Sequence, residues 1–170
     1  MRKLFESIRR FEGNQSLVQK RPYGVIDVRN GQLFAIHFRP WPKVISAIEV
    51  KWMGGWKQGR LQKDQCLLYF NQPRGHRNFL TLKYIVTSMG SSYQTTYRAT
   101  TILDQVARIK NSDAIVTEAV NRRISNRLMQ RLGWTQHCLD RSEPHYIKRF
   151  YGQYPAHTIA LNQFEQDTTD

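Results

Sequence analysis

The stretch that decides the fold runs from residue 79 to residue 120. It begins Phe79-Leu80-Thr81-Leu82-Lys83-Tyr84-Ile85-Val86-Thr87, continues Ser88-Met89-Gly90-Ser91-Ser92-Tyr93-Gln94-Thr95-Thr96, and then changes period. The first run is rich in β-branched and aromatic residues and reads as a strand. From Tyr97 to Lys110, Ile102, Val106 and Ile109 fall on one face with Leu103 beside them, which predicts a helix over 97–110. The Ser88 to Thr96 segment, with one glycine, reads as the loop between the two. Asp113 to Val120 is then a short apolar strand, Asn121 to Leu132 a second helix stopped by Gly133, and His145 to Tyr151 a closing strand rich in aromatics. Strand, helix, strand, helix, strand is the order of an α/β (α+β) domain: a mixed central sheet flanked by helices.

Moving toward the N-terminus, Cys66 to Phe70 is a further strand, joined to Phe79 through the turn-rich Asn71-Gln72-Pro73-Arg74-Gly75-His76. Asn30-Gly31 between Val25–Arg29 and Gln32–Phe38 is the clearest hairpin signal, because both central residues of a type I′ turn need positive φ. Pro40 and Pro42 stop the second of these strands, since proline gives no donor to a ladder. Val44 to Trp52 fits either a helix opened by Pro42 or an alternating strand, with helix the preferred reading. Lys57 to Gln65 is polar and loop-like. Residues 2–11, with Leu4, Phe5, Ile8 and Phe11 at helical spacing, predict a short amphipathic helix ended by Gly13-Asn14.

The 170 residues suffice for one domain with a core, assigned to 1–155, followed by an acidic tail over 156–170. That tail holds Glu165, Asp167 and Asp170 but no Lys or Arg. The body that precedes it is therefore more basic than the net charge of +13 implies. Such a body attracts nucleic acid or an acidic protein partner without reading sequence; a solubility role accounts for the charge equally well. No apolar run is long enough to span a membrane, so no membrane partner is expected. Met1–Glu6 lack the apolar stretch of a secretory signal, which points to the cytoplasm. Cys66 and Cys138 are far apart and read as reduced structural thiols, with a disulfide between them as the alternative.

The order from Phe79 to Tyr151 resembles the second half of the GNAT superfamily of N-acetyltransferases. The most local match is Asn121-Arg122-Arg123-Ile124-Ser125-Asn126-Arg127-Leu128-Met129-Gln130-Arg131-Leu132-Gly133-Trp134, which looks like that superfamily's asparagine-led helix closed by a glycine and an aromatic. The ending His145-Tyr146-Ile147-Lys148-Arg149-Phe150-Tyr151-Gly152 is also similar to a family of bacterial proteins of comparable size, which brings no activity with it. The GNAT resemblance implies acetyl-CoA or another acyl-CoA as cofactor and an amine as acceptor. It would place the coenzyme pyrophosphate on the loop of Ser88, Gly90, Ser91, Ser92 and Thr95. The sequence departs from that pattern in three places. The loop lacks a Q/R-x-x-G-x-G/A run, Met129 stands where many members carry a tyrosine acid, and the interval from Asn121 to Gly133 is about one residue longer than usual. No catalytic residue is assigned.

Independently of the resemblance, the loop precedes a helix, so its amides could hold an anion; ordinary N-capping explains the same residues. Arg123, Arg127 and Arg131 recur every fourth residue beside the stripe Ile124, Leu128 and Leu132, with Arg122 at the same end. Together with Lys148 and Arg149 among the closing aromatics, they form a candidate nucleic-acid or anion surface. The competing readings are a solvated helix face and burial of the aromatics. His137, Cys138, His145 and His157 match no zinc spacing, so no metal is expected. Asp27, Asp104, Asp113 and Glu118 are scattered and suggest no acid/base pair.

Overall fold

Parallel strands need a crossover, and the run from 79 to 118 supplies one. In the computed structural model, β5 (Phe79–Thr87), α2 (Tyr93–Ile109) and β6 (Ala114–Glu118) form a strand–helix–strand unit with β5 and β6 parallel. The structure describes residues 6–41, 61–118, 125–138, 140 and 144–156. The other elements are β1 (Glu6–Ile8), α1 (Gln15–Lys20), β2 (Tyr23–Arg29), β3 (Gln32–Arg39), β4 (Gln65–Asn71), α3 (Asn126–Arg131), β7 (Thr135–His137) and β8 (His145–Arg149). Among the described residues the strands make one eight-stranded sheet in the order β1-β3-β2-β4-β5-β6-β8-β7, antiparallel everywhere except between β5 and β6.

The mixed sheet with flanking helices is the expected architecture. The Asn30-Gly31 hairpin forms as read, with φ of 50° and 75°. Ile26, Val28, Ile36, Phe38, Leu68, Phe70, Leu80 and Leu82 are at most 1% exposed, and with Ile102, Leu103 and Val106 of α2 they make the core. Period 2 on the strands meeting period 3.6 on α2 is what places these residues together. Cys66 belongs to the same cluster, and both cysteines are free thiols.

Several element boundaries differ from expectation. Glu6–Ile8 is an edge strand on β3, not part of a helix, with Ile8 opposite Ile36. The spacing of Ile8 and Phe11 fits a helix, but the unpaired edge of β3 offers this segment a ladder. Both side chains are buried in the result. Gly13 and Asn14 then lead into α1 instead of ending a helix, and Asn14 is its N-cap. The long helix starts one turn early, at Tyr93, so Tyr93–Thr96 are helical and not loop. Of the helix expected at 121–132, residues 121–124 lie outside those described, and the described part is helical over Asn126–Arg131, with the Ser125 hydroxyl accepting from Leu128 N–H at 3.1 Å. The closing strand stops at Arg149, and Tyr151 lies beyond it, exposed at φ 46°. The expectations for Val44–Trp52 and for the acidic tail fall on residues outside those described, apart from Ala156.

β5 and β6 pair only from Phe79–Leu82 to Ala114–Thr117, while β5 continues to Thr87 alongside β4. Where the two strands part, the Thr117 hydroxyl donates to the Leu82 carbonyl at 2.7 Å. Among the described residues, the later half of β5 has a neighbour strand on one side only.

Candidate functional site

The start of α2 is built from three separate parts of the chain: residues 88–95, the β2–β3 turn and the pair Asp64-Gln65. Ser92 is its N-cap, with the side-chain oxygen accepting from Thr95 N–H at 3.1 Å. Ser88 is buried: its N–H donates to the Gln65 carbonyl at 2.9 Å and its hydroxyl accepts from Gln65 N–H at 2.8 Å, extending the β4–β5 ladder. Gly90 takes φ 75° in the turn closed by Ser91 N–H to Ser88 O. Thr95 is fully buried, and its hydroxyl accepts from Gly31 N–H at 2.8 Å, so the β2–β3 turn rests on the helix end.

The decisive contact comes from Asp64, next to Gln65, which no motif singled out. Its carboxylate accepts from Ser92 N–H at 2.7 Å and from the Ser92 hydroxyl at 3.1 Å, and the Ser91 hydroxyl lies 3.5 Å away. Asp64 itself sits at φ 57° and its carbonyl accepts from Asn30 N–H. The Ser92 amide, with help from the neighbouring hydroxyls, holds the Asp64 carboxyl below the usual carboxylate value of 3.8. A helix N-terminus attracts negative charge. Here the chain supplies that charge itself, at the point where a ligand phosphate was expected.

A second feature lies beside α2. An open cleft of about 350 Å³ is bounded by Tyr97, Thr100, Thr101 and Asp104 of α2, by Arg131, Leu132 and Gly133 at the end of α3, and by Lys148 and Arg149 of β8. At its floor Lys148 is 8% exposed. Its ammonium donates to Asp104 at 2.6 Å and to the Leu132 carbonyl at 3.1 Å. Gly133 makes room for it: φ is 84°, and a Cβ there would lie 3.2 Å from Lys148 Cε. Lys148 therefore ties α2 to the C-terminus of α3 and does not present its charge to solvent, unlike the surface contact expected of it.

Arg131 and Arg149 are exposed on the rim of the cleft. Arg127 is exposed one turn before Arg131, away from the cleft lining, and Arg122 and Arg123 lie outside the described residues. Tyr93 and Tyr97, 49% and 40% exposed, stack on each other with centroids 6.0 Å apart, and the Arg131 guanidinium stands 6.0 Å from the Tyr93 ring. The hydroxyls of Thr100 and Thr101 both turn back onto the Tyr97 carbonyl, at 2.9 and 3.0 Å. The buried carboxylate is paired and the threonines are occupied, so the lining offers cation and ring surface more than a nucleophile or base. Met129 is 1% exposed in the core, with its carbonyl bonded to Trp134 N–H, and carries no proton to donate.

Among the described residues, no three His, Cys, Asp or Glu side chains gather as a metal site, and no helix is long and apolar enough to cross a membrane. The Tyr93–Tyr97–Arg131 grouping escaped the sequence reading because it placed Tyr93 in a loop. The i, i+4 spacing of the two tyrosines was the available signal.

The chain matches no protein-family model and no curated protein. Among solved structures, that of nourseothricin acetyltransferase is similar at a TM-score of 0.37 and 12% identity, over 86% of this chain and 99% of that one. A likeness so distant carries no argument about chemistry, and the architecture described above stands on its own geometry.

Proposed function

We propose that this chain is a non-catalytic binding module for phosphate-bearing polyanions, nucleic acid foremost, and that the cleft between α2, α3 and β8 holds them. One observation carries the reading: exposed guanidiniums, Arg131 and Arg149, stand on the rim of a cleft whose only carboxylate, among the described residues, is neutralised by Lys148. Guanidinium forks match phosphate oxygens two at a time, and a net charge of +13 draws the polymer in. Fluorescence anisotropy with a labelled oligonucleotide tests it. Arg131→Glu and Arg149→Glu should each weaken binding at least severalfold and together abolish it at physiological salt. An acidic polypeptide such as polyglutamate, offered in competition, checks for a protein partner instead. Unchanged affinity in the double charge reversal rejects the cleft as the site.

A second reading, acyl transfer from acetyl-CoA or another acyl-CoA to an amine, is favoured by the parting of β5 from β6 after Leu82. An extended ligand could lie against the later half of β5 in that gap. The Asp64 carboxylate counts against it, because a coenzyme pyrophosphate approaching the start of α2 through Ser91, Ser92 and Gly90 would meet a like charge. Calorimetric titration with acetyl-CoA separates the two readings. Heat and a thermal shift with acetyl-CoA, strengthened in Asp64→Asn, would favour the transferase; silence at millimolar ligand, with oligonucleotide binding intact, favours the binding module.

A further inference from the structure

From the stacked pair at the start of α2, we infer that the nucleic acid held here is single-stranded, with its bases laid on Tyr93 and Tyr97. This rests on the binding-module reading and narrows it.

Tyrosine rings that serve only as core are covered, whereas Tyr93 and Tyr97 are 49% and 40% exposed. They project from one helical face a turn apart, inclined at 27°, so their ring surfaces run in series toward the cleft that Tyr97 lines. The Arg131 guanidinium is 6.0 Å from the Tyr93 ring, at the outer edge of cation–π range, and it also lines the cleft. Two stacked rings and a cationic fork therefore lie side by side on one short path. Unpaired bases and their phosphates match that pairing of ring surface with charge, because every base has a π-face and every linkage a charge. In a duplex the base faces are covered by their neighbours and only phosphates and groove edges are offered. The two rings would then have nothing to meet. α3 has six residues and its C-terminal end forms the cleft wall, so it presents no long helix to a major groove.

The test uses labelled RNA and DNA strands about 12 nucleotides long, each also annealed as a duplex, with affinity measured across a salt series. Tyr93→Leu and Tyr97→Leu should each weaken single-strand binding by about 5- to 100-fold while leaving the slope of log K against log salt unchanged. Tyr93→Phe and Tyr97→Phe keep the ring and should bind within about twofold of the parent, which separates stacking from any loss of fold. Arg131→Gln should lower the slope by about 0.7, the value of one phosphate contact on a single strand. Equal affinity for duplex and single strand, with the leucine variants unaffected and the Arg131 slope change present, overturns the single-strand inference and leaves the charge-based reading standing. No binding of any oligonucleotide overturns that reading itself, as does displacement by polyglutamate at equal charge.

Discussion

Lys110 carries a charge that the fold meets with neutral oxygens. It is 8% exposed, and its ammonium donates to the Arg21 carbonyl at 2.8 Å, Gln72 Oε1 at 3.1 Å and the Gln19 carbonyl at 3.3 Å. Burial pulls its pKa down from 10.5 to about 8, against the three oxygens, which favour the charged form. Between those two values the unfolded chain binds the proton and the folded chain does not, so stability must rise with pH across that window. Below the folded value the charge is buried in full and the penalty is constant. Relative to Lys110→Met, the parent protein should therefore gain up to about 3 kcal/mol between neutral pH and pH ~10. Urea unfolding at several pH values measures it, and a falling difference would contradict the argument. The two thiols make a second test at this scale. Cys66 is fully buried with its thiol pushed up to about 12, whereas Cys138 is exposed. A thiol reagent should titrate one group quickly in the native protein and two in denaturant, since the thiolate is the reacting form.

At the scale of elements, the start of α2 depends on a residue far from it in sequence. Asp64→Ala removes the acceptor of the Ser92 N–H and should cost about 1 kcal/mol, in the range of a lost helix cap. Because the Asp64 carboxyl is held below its usual value of 3.8, its contribution is present above that pH and is lost as pH falls through the lower, folded value. The difference between parent and Asp64→Ala should accordingly shrink in acid. At the opposite side of the cleft, Lys148→Met leaves Asp104 buried beside an apolar chain and should destabilise by about 3–5 kcal/mol. Both partners of each contact show where sequence reading succeeds and where it stops. Asn30-Gly31, the strand Phe79–Thr87 and the helical face of Ile102, Val106 and Ile109 were legible because local geometry and hydrophobic period specify them. Glu6–Ile8 was misread because three residues of edge strand have too little period to outweigh a helical spacing. Asp64 lay unnoticed in a polar stretch and Asp104 looked isolated, since the partners of each, Ser92 and Lys148, are placed by the sheet and not by the neighbouring sequence.

For the molecule as a whole, the net charge of +13 acts on folding and on binding with opposite dependence on salt. Like charges on one compact body repel, so added salt should raise the melting temperature of the protein alone by screening them. A bound polyanion also stabilises, by mass action, and about 100 times its dissociation constant of ligand is worth about 2.7 kcal/mol. For a chain of this length that corresponds to a rise of about 5–10 °C. The binding that produces this rise weakens as salt displaces it from the phosphates. The two effects must then cross: an oligonucleotide raises the melting temperature at low ionic strength, and its increment vanishes as sodium chloride increases while the protein alone grows more stable. Thermal melting over a salt series, with and without oligonucleotide, reads both curves. An increment undiminished by salt would mean that stacking and other uncharged contacts, and not Arg131 and Arg149, hold the ligand, and a protein indifferent to salt would mean that its basic groups are already neutralised within the fold.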